Sequence, residues 1–252
     1  MKPTAKLSFK IAVAIIAPLL RLIIRLEIRG KENLPAAGPL IAICNHMHLF
    51  DAVIHIYSIL PRDSIFLAKE ELFRLWPNPL FLILMKITDA MPVSRRGTNE
   101  ERKEVIQQAL QVLAEGHVLG IYPEGMRSKT GELQLANPGA VRLALRSGVP
   151  LIPISICGTE KLRGMGWFIR PRVVVTFGKP FYLPRLDREP SFTKVQQLSV
   201  FIMEHLRDIL PPQYHGMYRK QPVTTNRVGN SDNVIKSLEV EGDSFHANKT
   251  NN

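Results

Sequence analysis

Cysteine is the scarcest of the chemically informative residues: the 252-residue chain carries only Cys44 and Cys157, each inside an apolar run, "LIAIC" and "IPISIC". Two isolated thiols exclude a disulfide framework and a cysteine-based zinc module, and they read as core residues of a chain that works in a reducing compartment. Gly-x-Ser-x-Gly is missing as well, so there is no strand–turn–helix elbow to expose a nucleophilic serine. The N-terminal apolar run, residues 11–20 ("IAVAIIAPLL"), is only ten residues long, whereas a helix needs about 20 to cross the hydrocarbon core of a bilayer. No long Lys/Arg block, zinc-finger spacing or aromatic RNA-binding motif is present, which argues against nucleic acid as a partner. Acids are the last deficit: 22 Asp and Glu face 33 Lys and Arg.

The resulting net charge of +11 and isoelectric point near 9.9 point to an acidic partner: an anionic membrane surface, an acidic protein or a phosphorylated substrate. A hydrophobic content of 45% supports a sizeable core, and the length suits one large α/β domain. Positive charge gathers near the N-terminus, where Lys2, Lys6, Lys10, Arg21, Arg25 and Arg29 face a single acid, Glu27. An arginine, not a small-residue cleavage site, follows the apolar run, so a secretory signal fits poorly. Apolar surface flanked by cations reads as an element laid into a membrane interface with its cations on anionic headgroups. Residues 1–28 are therefore expected to form a membrane-associating helical segment, which makes the protein monotopic on the cytoplasmic face.

From there the pattern alternates. Strands are expected in "RLEIRGKENLP" (a short strand and a Pro-closed turn), "PLIAIC", "SIFLAK", "AMPVSRRG" (a short strand running into a basic turn), "VLGIYPEG", "VPLIPISICG" and "RVVVTFGKP". Helical spacing marks residues 51–60, the apolar stretch 78–87, residues 99–115 with a glycine stop at Gly116, residues 139–147, and residues 191–210 ahead of Pro211-Pro212. Alternating strand and helix signals imply an α/β fold with a mostly parallel central sheet flanked by helices. One domain is expected over residues 29–212. From residue 213 onward the chain turns polar and loses periodicity, so residues 213–252 are expected to be a disordered tail.

The chemistry concentrates in two turns. In "LIAICNHMHLFDAV" an apolar strand ends and Asn45, His46, His48 and Asp51 follow within seven positions. On one continuous helix His46 and Asp51 would point about 140° apart. With His46 in the turn and Asp51 in the first turn of the following helix, they can meet. The carboxylate then fixes one imidazole nitrogen and leaves the other as a base at the carboxyl end of a strand. A metal site built on His46 and His48 is disfavoured, because the hydrolase spacing H-x-H-x-D-H is broken and no second His/Asp cluster supplies further ligands. Simple helix capping by Asn45 or Asp51 stays open at this point. The second turn, "YPEGMRSK", places Glu124, Gly125, Arg127 and Lys129 after a strand, where a glycine turn and a fork-shaped cation could cradle an anion. Taken alone, it also reads as a solvated charged turn.

Taken in order, Asn45-His46-x4-Asp51, Lys69-x-Glu71-Leu72, Pro92-Val93-x-Arg95, Pro123-Glu124-Gly125-x-Arg127-Ser128 and Val149-Pro150-Leu151-Ile152-Pro153 resemble the glycerolipid acyltransferase family, over about residues 29–184. The lysophosphatidic acid acyltransferases are the member type most similar to it. The resemblance implies an O-acyltransferase of phospholipid biosynthesis that moves a fatty acyl group from acyl-CoA or acyl-acyl carrier protein to lysophosphatidic acid. In that reading His46 is the general base and Asp51 orients it. Lys69, Arg95 and Arg127 hold the acceptor's phosphate, Glu124 and Gly125 shape its pocket, and the strand around Pro150 and Pro153 lines the site. No metal and no cofactor beyond the co-substrate are expected. A thioester is activated enough for direct attack, which suits the missing nucleophile elbow, with backbone amides as the expected oxyanion donors. Two positions depart from the family pattern: His48 stands where a small serine is usual and Met126 where a threonine is. Another acceptor (glycerol 3-phosphate or a different lysolipid) and a non-catalytic lipid-binding role are the alternatives.

Overall fold

Strand β2, Leu40–Cys44, and strand β6, Leu151–Cys157, are buried along their whole lengths, and the fold is organised around them. The computed structural model describes residues 18, 20–69, 91–93, 98–163, 166–184, 186 and 190–219. The other strands are β1 (Arg25–Arg29), β3 (Ser64–Lys69), β4 (Met91–Val93), β5 (Val118–Ile121) and β7 (Arg172–Phe177). They form one seven-stranded sheet in the order β1-β7-β6-β2-β5-β3-β4. Every ladder is parallel except β6–β7, which is antiparallel.

Alternation along the strands sends side chains to two cores. Ile41, Ile43, Leu119 and Leu151 face helices α2 (Asn99–Ala114), α3 (Pro138–Ser147) and α4 (Phe192–Asp208). Leu40, Ala42, Cys44, Val118, Ile152, Ile154 and Ile156 pack with α1 (Phe50–Ile59) and with Leu20 and Ile24. Helices on both faces of a largely parallel sheet are the stable way to bury strands that are apolar on both sides. Local signals agree with the elements. Thr98 and Glu101 close a capping box at the start of α2, and Gly148, at φ 62°, ends α3. Gly120 in β5 has a different reason to be glycine: a Cβ there would collide with the ring of Phe66 on the neighbouring strand.

Two expected boundaries are corrected. The limit at residue 28 falls inside β1, which pairs with β7 throughout, and Ile24 just before it is buried in the core. The strand belongs to the sheet because its apolar side chains find partners there. The packed part also runs past residue 212. Residues Pro212–Tyr214 and Gly216–Tyr218 make 3-10 turns, Leu133 N donates to Tyr214 O at 2.8 Å, and Tyr218 is buried. A polar composition hid two tyrosines that pack on the core, Tyr218 within it and Tyr214 against it. The expected N-terminal segment up to residue 17, the apolar stretch 78–87 and the tail from residue 220 lie outside the described residues. Among the described residues no helix is long and apolar enough to cross a membrane.

Candidate active site

Strand β2 stops at Cys44 because the next residue changes how the ladder is made. Asn45 is buried, its Nδ2 donates to Ile156 O at 2.8 Å, and its Oδ1 accepts from Ile156 N at 2.8 Å. The side-chain amide thus performs the pairing a further strand residue would have performed with its backbone, and the main chain is released to turn. Asp51, the second residue of α1, is 0% exposed. Its Oδ2 accepts from Met47 N and His48 N, both at 2.6 Å, and faces His46 Nδ1 at 3.0 Å. A carboxylate oxygen can only accept, so Nδ1 carries the hydrogen and His46 Nε2 is left with its lone pair. The imidazole is stacked on Tyr122 (centroids 4.1 Å apart, planes 19° apart), and Tyr122 is stacked in turn on Phe66. The ring is held on two sides, and the side chain is 18% exposed.

The second turn follows β5 and is bound to the first. Gly125 N donates to Tyr122 O at 2.9 Å, and Gly125 sits at φ 68°, where a Cβ would come within 2.6 Å of Asn137 Nδ2. The left-handed φ is what favours glycine there, since the Asn137 amide could swing aside. Ser128 N donates to His46 O at 2.7 Å. Glu124, only 4% exposed, accepts from His46 N at 3.3 Å and from Gln134 N at 3.1 Å. Burial pushes its carboxyl up to about 8; the two backbone N–H groups pull it down, and the charge of Asp51 adds to the rise. Glu124 therefore braces the backbone of His46. It also lines a cleft of about 570 Å³ with Met126, Thr130, Asn137 and Met217.

A third segment closes the frame. Arg163, from the β6–β7 connection, donates to Met47 O (3.2 Å), Ser128 O (2.8 Å) and Lys129 O (2.6 Å). One planar guanidinium thus ties both turns together. Arg127 is exposed, and its charge reaches His48. Burial holds that imidazole below its usual range, Asp51 opposes the shift, and the charges of Arg127, Arg163 and His46 reinforce it. The backbone of Lys69 ends β3, but its side chain, like all of Arg95, lies outside the described residues. The structure thus brings His46, Asp51, Glu124, Gly125 and Arg127 into one site. Strand β6 meets it at Ile156 through Asn45; Pro153 instead packs near Gly178. Among the described residues no three His, Cys, Asp or Glu side chains are arranged to hold a metal ion.

Sequence reasoning missed three contributors. Tyr122 was legible only as the last apolar residue before the Pro-Glu-Gly turn. Asn45 stood in the motif, with capping as one open reading and no sign of its strand-pairing role, and Arg163 lies more than 110 positions after the loop it holds.

An imidazole backed by a buried carboxylate, with an exposed arginine in the second turn, thus sits at the end of strand β2. A model of the Acyltransferase family matches residues 25–157, more than half of the chain, and the chain belongs to that family. It is an acyltransferase, and the matched span includes all seven positions from His46 to Arg127 named above as site residues. The chain is similar to the 1-acyl-sn-glycerol-3-phosphate acyltransferase of Borreliella burgdorferi, with 28% identity over 193 residues, 75% of this chain and 70% of that one. The protein of the same name from Bacillus subtilis is 26% identical over 183 residues, 73% of this chain and 87% of that one. The crystal structure of the 1-acyl-sn-glycerophosphate (LPA) acyltransferase PlsC from Thermotoga maritima shares the fold. Its TM-score is 0.55 at 22% identity, over 77% of this chain and 76% of that one.

Proposed function

We propose that this acyltransferase acylates the free hydroxyl of lysophosphatidic acid to give phosphatidic acid, with His46 as general base. The observation that carries the reading is the 3.0 Å contact between His46 Nδ1 and the buried Asp51 carboxylate, which leaves Nε2 as the proton acceptor. The names of the relatives support lysophosphatidic acid as acceptor. The acyl donor is a thioester of coenzyme A or acyl carrier protein. Nε2 takes the hydroxyl proton as the oxygen attacks the thioester carbonyl. The tetrahedral intermediate collapses with cleavage of the C–S bond, and the imidazolium returns its proton to the departing thiolate. Asp51 holds the ring in the one useful tautomer and offsets the charge it gains. Tyr122, Glu124 and Arg163 keep the base in place, where a correct geometry removes several kcal/mol of the barrier. Arg127, exposed beside the His46 turn, binds the acceptor's phosphate, with Lys69 and Arg95 completing the set. The step needs no metal or cofactor, since the thioester supplies the activation. The net charge of +11 supports attachment to an anionic membrane surface, on its cytoplasmic face.

The test is thiol release from palmitoyl-coenzyme A with lysophosphatidic acid, run beside His46→Ala. Acceptor-dependent release that disappears in the variant supports the reading. Release unaffected by the substitution sinks the role of His46, and release only with another acceptor moves the substrate.

A further inference from the structure

The face of the sheet beneath α1 carries more polar atoms than packing explains. Ile43 pairs with Ile121 in the β2–β5 ladder, so the next residues on the two strands, Cys44 and Tyr122, lean to the same face. Tyr122 packs there against the core that contains Cys44 and Ile54. Above them, Asp51 and His55 stand one turn apart on α1, both buried. The Cys44 thiol and His55 Nδ1 satisfy each other at 3.0 Å. Two enclosed oxygens have no such arrangement. Asp51 Oδ2 takes the contacts from His46, Met47 and His48, whereas Asp51 Oδ1 has no hydrogen-bond partner among the described residues. Tyr122 Oη has none either.

The His46 ring relates these two atoms. It lies almost flat on Tyr122, with planes 19° apart, and its Nδ1 faces the Asp51 carboxylate. The hydroxyl of Tyr122 is enclosed although the imidazole is partly exposed, so it points to the inner side of the stack, where Asp51 lies. Burial, then the neighbouring Cys44 and Asp51, hold the phenol well above its usual range, so it keeps a hydrogen to donate. Burial raises the Cys44 thiol and lowers the His55 imidazole to about 3, which leaves both neutral. Among the groups of this layer the Asp51 carboxylate is the charge that the hydroxyl can serve. A hydroxyl and a charged oxygen enclosed side by side are unfavourable unless something joins them. Phenylalanine would supply the same stack without that penalty.

We infer that Tyr122 is a positioning residue whose hydroxyl acts through one enclosed water on Asp51 Oδ1 and so sets the strength of the His46–Asp51 pair. The water accepts from Tyr122 Oη and donates to Oδ1. Oδ2 is then left to the imidazole and the two backbone amides, while part of the carboxylate charge is drawn toward Oδ1. The inference rests on the reading of His46 as the base, but the link between Tyr122 and Asp51 is observable without turnover.

The test compares the full chain with Tyr122→Phe, which keeps the ring and removes the oxygen, and with Tyr57→Phe as the control. Tyr57 lies on the same helix as Asp51, and its hydroxyl accepts from Arg21 at 3.2 Å instead. The titration of the His46 ring protons is followed by NMR, assigned by its loss in His46→Ala. Beside it, kcat and KM are measured across pH with palmitoyl-coenzyme A and lysophosphatidic acid. Loss of a donor at Oδ1 leaves the carboxylate more negative toward Nδ1, which favours the imidazolium. Tyr122→Phe is therefore expected to move the ring titration and the acid limb of kcat/KM upward together, by about half a pH unit. It should lower kcat roughly threefold and leave KM for lysophosphatidic acid unchanged. Tyr57→Phe should move neither profile. A ring titration that stays in place or moves down in Tyr122→Phe overturns the inference, even where activity falls, because a lost packing contact lowers activity without shifting the titration. A titration that moves as expected in a protein that transfers no acyl group keeps the link to Asp51 and loses His46 as the base of the proposed reaction.

Discussion

Two histidines nine residues apart on the β2–α1 segment are each held through Nδ1 by a buried partner at 3.0 Å, yet their environments give them opposite characters. His46 meets the carboxylate of Asp51 at the mouth of the site, whereas His55 meets the thiol of Cys44 inside the core. His55 is 1% exposed, lies edge-on to Phe66, and has no partner for Nε2 among the described residues. Burial drives it down to about 3, so it stays neutral throughout the physiological range. An imidazole becomes a usable base when a charge can offset the proton it takes and its second nitrogen reaches the substrate. His46 has a carboxylate at Nδ1 and a partly exposed ring, as the proposed role requires, whereas His55 has a thiol at Nδ1 and is enclosed.

Substitution at the first pair should have the largest effect. His46→Ala is expected to lower kcat about a thousandfold with the fold intact, checked by thiol release and circular dichroism. Asp51→Asn should cost about a hundredfold or more, because an amide can present N–H to the ring and favour the wrong tautomer. It also loses an acceptor for the amides of Met47 and His48, so its melting temperature should fall as well. Arg127→Ala should raise KM for lysophosphatidic acid roughly tenfold and change kcat far less, if the guanidinium only holds the phosphate. A fall confined to kcat would count against that role.

The smallest effects lie in stability and separate the two sides of the comparison by sign. The folded-state value of His55 is depressed from 6.5 to about 3, so its penalty is absent above 6.5 and grows as pH falls toward 3. His55→Phe should therefore flatten the loss of melting temperature in acid and leave activity close to that of the parent. Glu124 is raised from 4.5 to about 8, so stability from its protonated form is complete below 4.5 and disappears as pH rises through about 8. Glu124→Gln should remove that decline between pH 4.5 and about 8, an effect of a few kcal/mol at most. It should also lower the melting temperature at neutral pH, where one backbone acceptor is lost. Melting curves across pH for both variants decide the matter.

Much of the fold was legible because its strands are short apolar runs separated by turn residues, and hydrophobic pattern reports burial directly. Direction along the sheet was not legible, since "RVVVTF" reads the same whether it runs with or against β6. The antiparallel β6–β7 ladder therefore came only from the structure. His46 and Asp51 could be paired from their spacing across a strand-to-helix turn. Tyr122, Glu124 as a brace and Arg163 depend on packing between distant segments. Their individual residues carry no local pattern for that packing. The tyrosines at 214 and 218 were hidden for a similar reason: a polar stretch can still donate two rings to a core that composition cannot see.

The amide of Asn45 has one further consequence, best put in terms of hydrogen exchange. Strand ends normally fray, and a loop that begins at a strand end inherits that fraying. Here the last rung between β2 and β6 is made by a side chain, with both of its bonds at 2.8 Å in a fully enclosed setting. The Ile156 amide should thus exchange as slowly as amides in the middle of the ladder. On that expectation, the turn that carries His46 starts from a point that should open only together with the β2–β6 ladder.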